Sequence, residues 1–161
     1  MRVDKWTGLI IFLAIVFVIG YLGSIATNIS VDNWYVQLKK PEWGPSDWVF
    51  GPVWTTLYIL IAISGWMVWL KVRGRADNFP MAIYAAQLFF NALWPWLFFG
   101  MQNTVYGFIT IICLFFAILA NMAAFWKYSP WAAILLLPYL IWVSFAMSIN
   151  FVVTLYDLVE R

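Results

Sequence analysis

Charged residues vanish from the chain over four long stretches: Trp6 to Val31, Trp48 to Leu70, Asn78 to Trp126 and Tyr128 to Tyr156. Within each stretch the apolar side chains run on continuously. Membrane strands would instead alternate apolar and polar residues, so the pattern predicts helices. About 20 apolar residues carry a helix across the hydrocarbon of a bilayer. The third stretch exceeds one crossing, and Gly100, Gln102, Asn103 and Thr104 supply a turn inside it. The chain therefore reads as an all-α membrane protein, a five-transmembrane-helix bundle, with helices near 6–27, 49–71, 79–99, 104–126 and 130–156. One lid-like loop at 28–48 joins the first two, and the whole of 1–161 forms a single membrane domain.

The polar punctuation supports this division. Arg2 and Lys5 precede the first span and Ser24-Ile25-Ala26 resembles a cleavage site, but the apolar run is longer than that of an ordinary signal peptide, so a retained helix is expected. Trp6, Trp34, Tyr35, Trp43, Trp48, Trp126, Tyr128 and Trp131 fall near predicted helix ends, where amphipathic rings anchor at the interface. Arg2, Lys5, Lys71, Arg73, Arg75 and Lys127 lie on one side of the membrane and Lys39, Lys40 and Arg161 on the other. That excess places the N-terminus in the cytoplasm if the protein sits in an inner membrane.

Composition narrows the chemistry. Of 161 residues 65% are hydrophobic and 10% charged, against about 25% charged in a soluble domain, so the lipid bilayer is the solvent. A net charge of +2 spread over scattered basic residues gives no footing for nucleic acid. Histidine is absent and Cys113 is the single cysteine, which removes the usual metal ligands and the usual general base; no metal site is expected. No ionisable group falls in mid-span and no inverted repeat is evident, which argues against active ion transport.

Helical spacing gathers candidate ligand-binding side chains on single faces. Phe50, Trp54 and Tyr58 recur at intervals of four on the second helix. Tyr84, Gln87, Asn91, Trp94 and Phe98 share a stripe of the third, and Tyr139, Trp142, Ala146 and Asn150 one of the fifth. Such stripes either line a flat aromatic cavity with a few polar groups or bridge helices through their amides. A cavity of this kind suits a large planar hydrophobic ligand, with Lys39 and Lys40 meeting carboxylates at its mouth; without histidine, a metal-free porphyrin is favoured over haem. The loop, with Trp34, Tyr35, Pro41, Trp43 and Pro45, is stiff enough to cover one end of the bundle. Pro95 and Pro138 kink the third and fifth helices. Small pairs, Ala82 with Ala86 and Gly20 with Ser24, permit close helix contact, and a homodimer through the third helix is expected.

The chain carries, in order, Trp34-Tyr35 with Leu38, Lys40-Pro41-x-Trp43-x-Pro45, Trp48-Val49-Phe50, Val53-Trp54-Thr55-x-Leu57-Tyr58, Ala86-Gln87-Leu88-x-x-Asn91-x-x-Trp94 and Pro138-Tyr139-x-x-Trp142. Together these motifs resemble the TspO/MBR family of tryptophan-rich sensory and translocator proteins. Ser46 departs from the family, which commonly has a second proline there. The resemblance implies a five-helix protein, often dimeric, that binds porphyrins such as protoporphyrin IX, sterols and benzodiazepine-type ligands beneath its first loop. It implies that Tyr35, Phe50, Gln87, Asn91 and Ala146 line the pocket. Trp54 and Trp142 match the two tryptophans linked in bacterial relatives to light-dependent porphyrin breakdown, the candidate catalytic pair. The leading expectation is a tetrapyrrole-binding sensor, sequestering protein or transporter that tunes tetrapyrrole metabolism and stress responses. The alternatives are a light-dependent porphyrin-degrading enzyme that needs no added cofactor, because the porphyrin is both substrate and photosensitiser, and a passive sterol or lipid transporter. Val153, Tyr156 and Arg161 also fit a loose cholesterol pattern of little weight.

Overall fold

The computed structural model describes residues 3–160, so Arg2 and Arg161 of the charge count and of the cholesterol pattern lie outside the described residues. Six helices follow in order: α1 (Lys5–Ser30), α2 (Asp47–Val72), α3 (Phe79–Pro95), α4 (Thr104–Trp126), α5 (Pro130–Leu135) and α6 (Leu137–Glu160). A π-type segment, Trp96–Gly100, continues α3, and a single 3-10 turn, Tyr35–Gln37, lies in the first loop. Five spans are long and apolar enough to cross a membrane: Lys5–Ser30, Asp47–Val72, Phe79–Gly100, Thr104–Trp126 and Pro130–Val159.

Local chemistry sets the helix limits. The Asp4 carboxylate caps α1, accepting from the Trp6 and Thr7 amides at 2.8 and 3.2 Å. Asn103 caps α4 through Tyr106 N at 2.9 Å, and Ser129 with Pro130 opens α5. The proline effects differ from simple kinks. After Pro95 the turn widens, with Met101 N donating to the Trp96 carbonyl at 2.8 Å. The Phe99 carbonyl receives the Ser30 hydroxyl at 2.7 Å, which ties α1 to the widened turn. The fifth span is not one helix. Pro138 has no N–H for the preceding turn, and the chain breaks at Leu136, whose N–H turns back to Ala133 O at 3.1 Å.

This break positions the site. α1 packs against α2 and α3, α4 against α3, α5 and α6, and α2 lies against α5 while barely meeting α6. The core holds Ile61, Val68, Ile118, Phe125, Leu136 and Tyr139, all fully buried. The outward faces are apolar, as at Ile10, Phe17, Phe89, Phe116 and Ile141, which suits a lipid surround. The loop folds back over one end: Trp34 and Tyr35 meet Phe98 edge-on at 5.5 and 6.0 Å, and Trp43 meets Phe145 at 5.8 Å. Gly20 lets the Tyr58 ring approach so closely that a Cβ there would lie 2.4 Å from its Cε2, so this small residue serves packing within the chain.

At the opposite end the α2–α3 and α4–α5 connections are tied by a hydrogen bond from the Tyr128 hydroxyl to the Asp77 carboxylate. That bond, with Phe79 N and the nearby Arg75 and Lys127, holds the Asp77 carboxyl below the usual aspartate range. A depressed carboxyl stabilises the folded state above its unfolded value, and this contribution disappears as pH falls through the lower folded value. Hydrogen exchange at 76–78 and 127–129, corrected for the intrinsic rate, is expected to accelerate on acidification below the ordinary aspartate range. Asp77→Asn should remove that acid response.

Candidate functional site

The stripes predicted on the third and fifth spans meet across the α3–α6 interface. Asn91 Nδ2 donates to the Tyr139 hydroxyl at 2.7 Å, and Trp94 Nε1 donates to Asn150 Oδ1 at 3.1 Å. Asn150 Nδ2 continues to the Thr104 carbonyl at 3.3 Å. Trp94 stacks on Phe98 at 5.5 Å. In this arrangement Asn91 and Asn150 bridge helices, because a buried amide in a lipid-embedded bundle takes whatever partner lies closest. On α2, Trp54 stands against Tyr58 at 5.3 Å and edge-on to Tyr139 at 6.3 Å, which joins the second stripe to this cluster. Ala146 is half-buried and packs on the same core.

Two open volumes lie beside the cluster. A groove of about 670 Å³ separates α2 from α6, lined by Pro52, Val53 and Thr56 on one side and Pro138, Trp142 and Phe145 on the other. It follows from the break at Leu136, which leaves α6 standing away from α2. A smaller pocket of about 190 Å³ lies under the loop, lined by Tyr35, Lys40, Pro41, Asp47, Phe50 and Ile149. Its walls carry charge, and the Lys40 ammonium lies 4.3 Å from the Tyr35 ring centre. Burial, and then the nearby Asp47 charge, push the Tyr35 phenol above its ordinary value, so it remains a neutral donor. Phe50 meets Trp142 edge-on at 5.6 Å, and these two rings stand between pocket and groove.

The unpartnered polar atoms are the most informative. The Trp142 indole N–H is buried without an acceptor, and both amide atoms of Gln87 and of Asn121 are buried without partners. Buried polar groups are nearly always satisfied, so each exception asks for a cause. The Trp142 ring walls the groove while its N–H is turned to the packed side.

Of the predicted site residues, Trp142 lines the groove, and Tyr35 and Phe50 line the loop pocket. Trp54, Tyr58, Asn91, Trp94 and Asn150 form the packed cluster behind them, and Gln87 is fully buried. Sequence reasoning missed the α2 side of the groove. Pro52 with Thr56, and Val53 with Leu57, repeat at intervals of four just as the Phe50–Trp54–Tyr58 stripe does, so the signal was present on a neighbouring face. Phe145 lies three residues after Trp142 on its own face. Asn121 gave no signal, being a lone amide in an apolar run.

The orphan amides permit a comparison. Asn121→Leu removes two unpartnered polar atoms at little change of volume and is expected to leave the thermal midpoint in detergent unchanged or raise it. Asn91→Leu strands the Tyr139 hydroxyl and is expected to cost about 1–3 kcal/mol.

Comparison with known proteins agrees with this architecture. The family model described as TspO/MBR family matches residues 12–156. The chain is 41% identical over 140 residues to a tryptophan-rich protein TspO of Archaeoglobus fulgidus, covering 87% of this chain and 90% of that one. It is 37% identical over 142 residues to a tryptophan-rich sensory protein of Cereibacter sphaeroides, covering 88% and 87%. It is also 37% identical over 123 residues to the human translocator protein, covering 75% and 73%. With five membrane-spanning helices, a loop folded over one end and a match that runs through nearly all of them, this integral multi-pass membrane chain belongs to the TspO/MBR family.

Proposed function

We propose that the protein binds a tetrapyrrole such as protoporphyrin IX within the membrane and acts as a sensor, sequestering protein or carrier for it. The observation that carries this reading is the α2–α6 groove, walled by an indole whose buried N–H lacks an acceptor. Its volume of about 670 Å³ is that of a small-molecule site. The groove is apolar and open toward lipid, which favours a flat hydrophobic ligand that partitions into the bilayer before it binds. Lys40, in the neighbouring pocket, offers a cation to peripheral carboxylates. A bundle without mid-span charge favours passive exchange over pumping.

Dark titration of the detergent-purified protein with protoporphyrin IX, followed by tryptophan quenching and by the porphyrin absorption band, tests the proposal. Saturable binding is expected; quenching that rises linearly without saturation would sink it. Exchange of bound ligand between liposomes distinguishes a carrier from a sensor.

A second reading, light-driven porphyrin breakdown, is favoured by the oxidisable rings of Trp54, Tyr58 and Tyr139, where Trp54 meets both tyrosines behind the groove that Trp142 walls. Loss of the bound porphyrin band on illumination, beyond that of free porphyrin, supports it. A sterol or benzodiazepine-type ligand would compete for the same groove. Ala82 is exposed and Ala86 half-buried on α3, and this small-residue face is the proposed homodimer contact, to be read by cross-linking Ala82→Cys in the membrane. For an inner-membrane protein, the excess of basic residues at the N-terminal end of the bundle favours a cytoplasmic N-terminus on the same footing.

A further inference from the structure

The two ends of the bundle differ sharply in charge. Among the described residues, the end holding the start of α1 and the 2–3 and 4–5 connections carries five basic residues and two acidic ones, and the loop end two basic and five acidic. Between the start of α1 and the end of α2, at the basic end, lies a recess of about 610 Å³ lined by Val3, Asp4, Lys5, Trp69, Arg73 and Gly74. It is far from the groove and shares no residue with it.

Its cations are held in place by aromatic rings. The Arg73 guanidinium lies 5.1 Å from the Trp69 ring centre, and its Nη1 donates to the Val3 carbonyl at 3.3 Å. The Lys5 ammonium lies 5.1 Å from the Trp6 ring centre. Trp6 stacks on Trp66, whose indole N–H donates to the Lys5 carbonyl at 2.8 Å. Trp69 is wedged against Gly8, where a Cβ would lie 2.4 Å from its Cζ3. Among the described residues no ion pair joins Lys5 or Arg73 to a carboxylate. The one acid of the lining, Asp4, already accepts from the Trp6 and Thr7 amides and from the Thr7 hydroxyl, so its oxygens serve the helix cap. The lining thus holds two cations and one anion, a balance that one negative charge completes.

Depth suggests where that charge comes from. Trp6, Trp66 and Trp69 stand at the helix ends where an aromatic layer meets headgroups, and the exposed Ile10 lies about one turn further along α1 toward the apolar zone. We propose that the recess binds the phosphodiester of an anionic phospholipid, with Arg73 and Lys5 on the phosphate and the acyl chains along the exposed face of α1. Basic pockets at helix ends recognise such headgroups, each Lys or Arg near the surface contributing attraction that falls off within a Debye length.

The test uses the full chain, delipidated and reconstituted in nanodiscs of phosphatidylcholine alone or with phosphatidylglycerol, the lipid retained on repurification being quantified by mass spectrometry. Wild type is expected to retain phosphatidylglycerol with about a tenfold preference over its share of the disc. Arg73→Gln and Lys5→Gln should each reduce that preference several-fold, Arg73→Lys should restore part of it, and Lys71→Gln, at the same end but outside the recess, should leave it intact. All three positions are exposed, and the thermal midpoint of each variant checks folding. Quenching of tryptophan by brominated phosphatidylglycerol, greater in wild type than in Arg73→Gln, supports the site without purification. Equal retention of the two lipids by wild type, or an unchanged preference in both glutamine variants, overturns the proposal. Loss of the bound lipid on adding inorganic phosphate at low concentration overturns the lipid assignment in favour of a free-phosphate site.

Discussion

Trp142→Phe should weaken protoporphyrin IX binding about tenfold while leaving the protein at least as stable as wild type. The indole N–H is buried and has no acceptor. The N–H has no access to the groove as the ring stands, so an acceptor on a ligand meets it only when the indole turns about its side-chain bonds, and that hydrogen bond then contributes to binding and nothing to folding. Phenylalanine keeps a ring against Phe50 and Phe145, 5.6 and 5.9 Å from the indole, but removes the donor and part of the stacking area. Together these losses amount to about 1.5 kcal/mol, or roughly tenfold in Kd. Dark titration of both proteins measures the shift and a melting curve in detergent measures stability. A variant that melts much earlier, or that binds porphyrin as wild type does, would show that Trp142 serves packing alone. Illumination of the same samples then asks whether the band loss depends on the indole.

The largest stability effect is expected at Gly65. A Cβ there would lie 2.5 Å from Tyr84 Cζ and 2.8 Å from its hydroxyl oxygen. The tyrosine cannot retreat, because its ring is stacked on Phe125 at 5.8 Å, touched by Phe12 at 5.7 Å, and tethered through its hydroxyl to the Ile61 carbonyl at 3.1 Å. Gly65→Val therefore forces either the α2–α3 contact apart or the phenol off its acceptor. Overpacking of this kind costs about 1–3 kcal/mol, and the broken hydrogen bond about 1 kcal/mol more. A fall in the unfolding midpoint is expected, with porphyrin affinity per folded molecule little changed, since Gly65 is remote from the groove lining. Gly51 is the contrasting case on the same helix: nothing lies within 4 Å of a Cβ there. Gly51→Ala should be neutral or mildly stabilising, by up to about 1 kcal/mol of recovered helix propensity.

The membrane spans and their number were legible in the sequence because lipid leaves the backbone no other partner than itself. A stretch such as Thr104–Trp126, apolar throughout, must close its own hydrogen bonds as a helix. Helix starts at Asp4, Asn103 and Ser129 were equally local events, each a side-chain oxygen satisfying a nearby amide. The proline at 138 was visible, yet whether it bends a helix or divides it depends on the neighbours that receive the freed groups, and here the chain separates into α5 and α6. Helical spacing likewise placed Asn91, Trp94, Tyr139, Trp142 and Asn150 on inward stripes. What only the tertiary structure decided was which of these polar atoms find one another. Asn91 and Asn150 are consumed across the α3–α6 interface, whereas Trp142 faces the gap where α6 stands off α2 and keeps its N–H unmatched. Periodicity assigns a residue to a face of its own helix, a property of one segment. Pairing depends on the relative rotation and depth of two segments, which packing of the whole bundle sets.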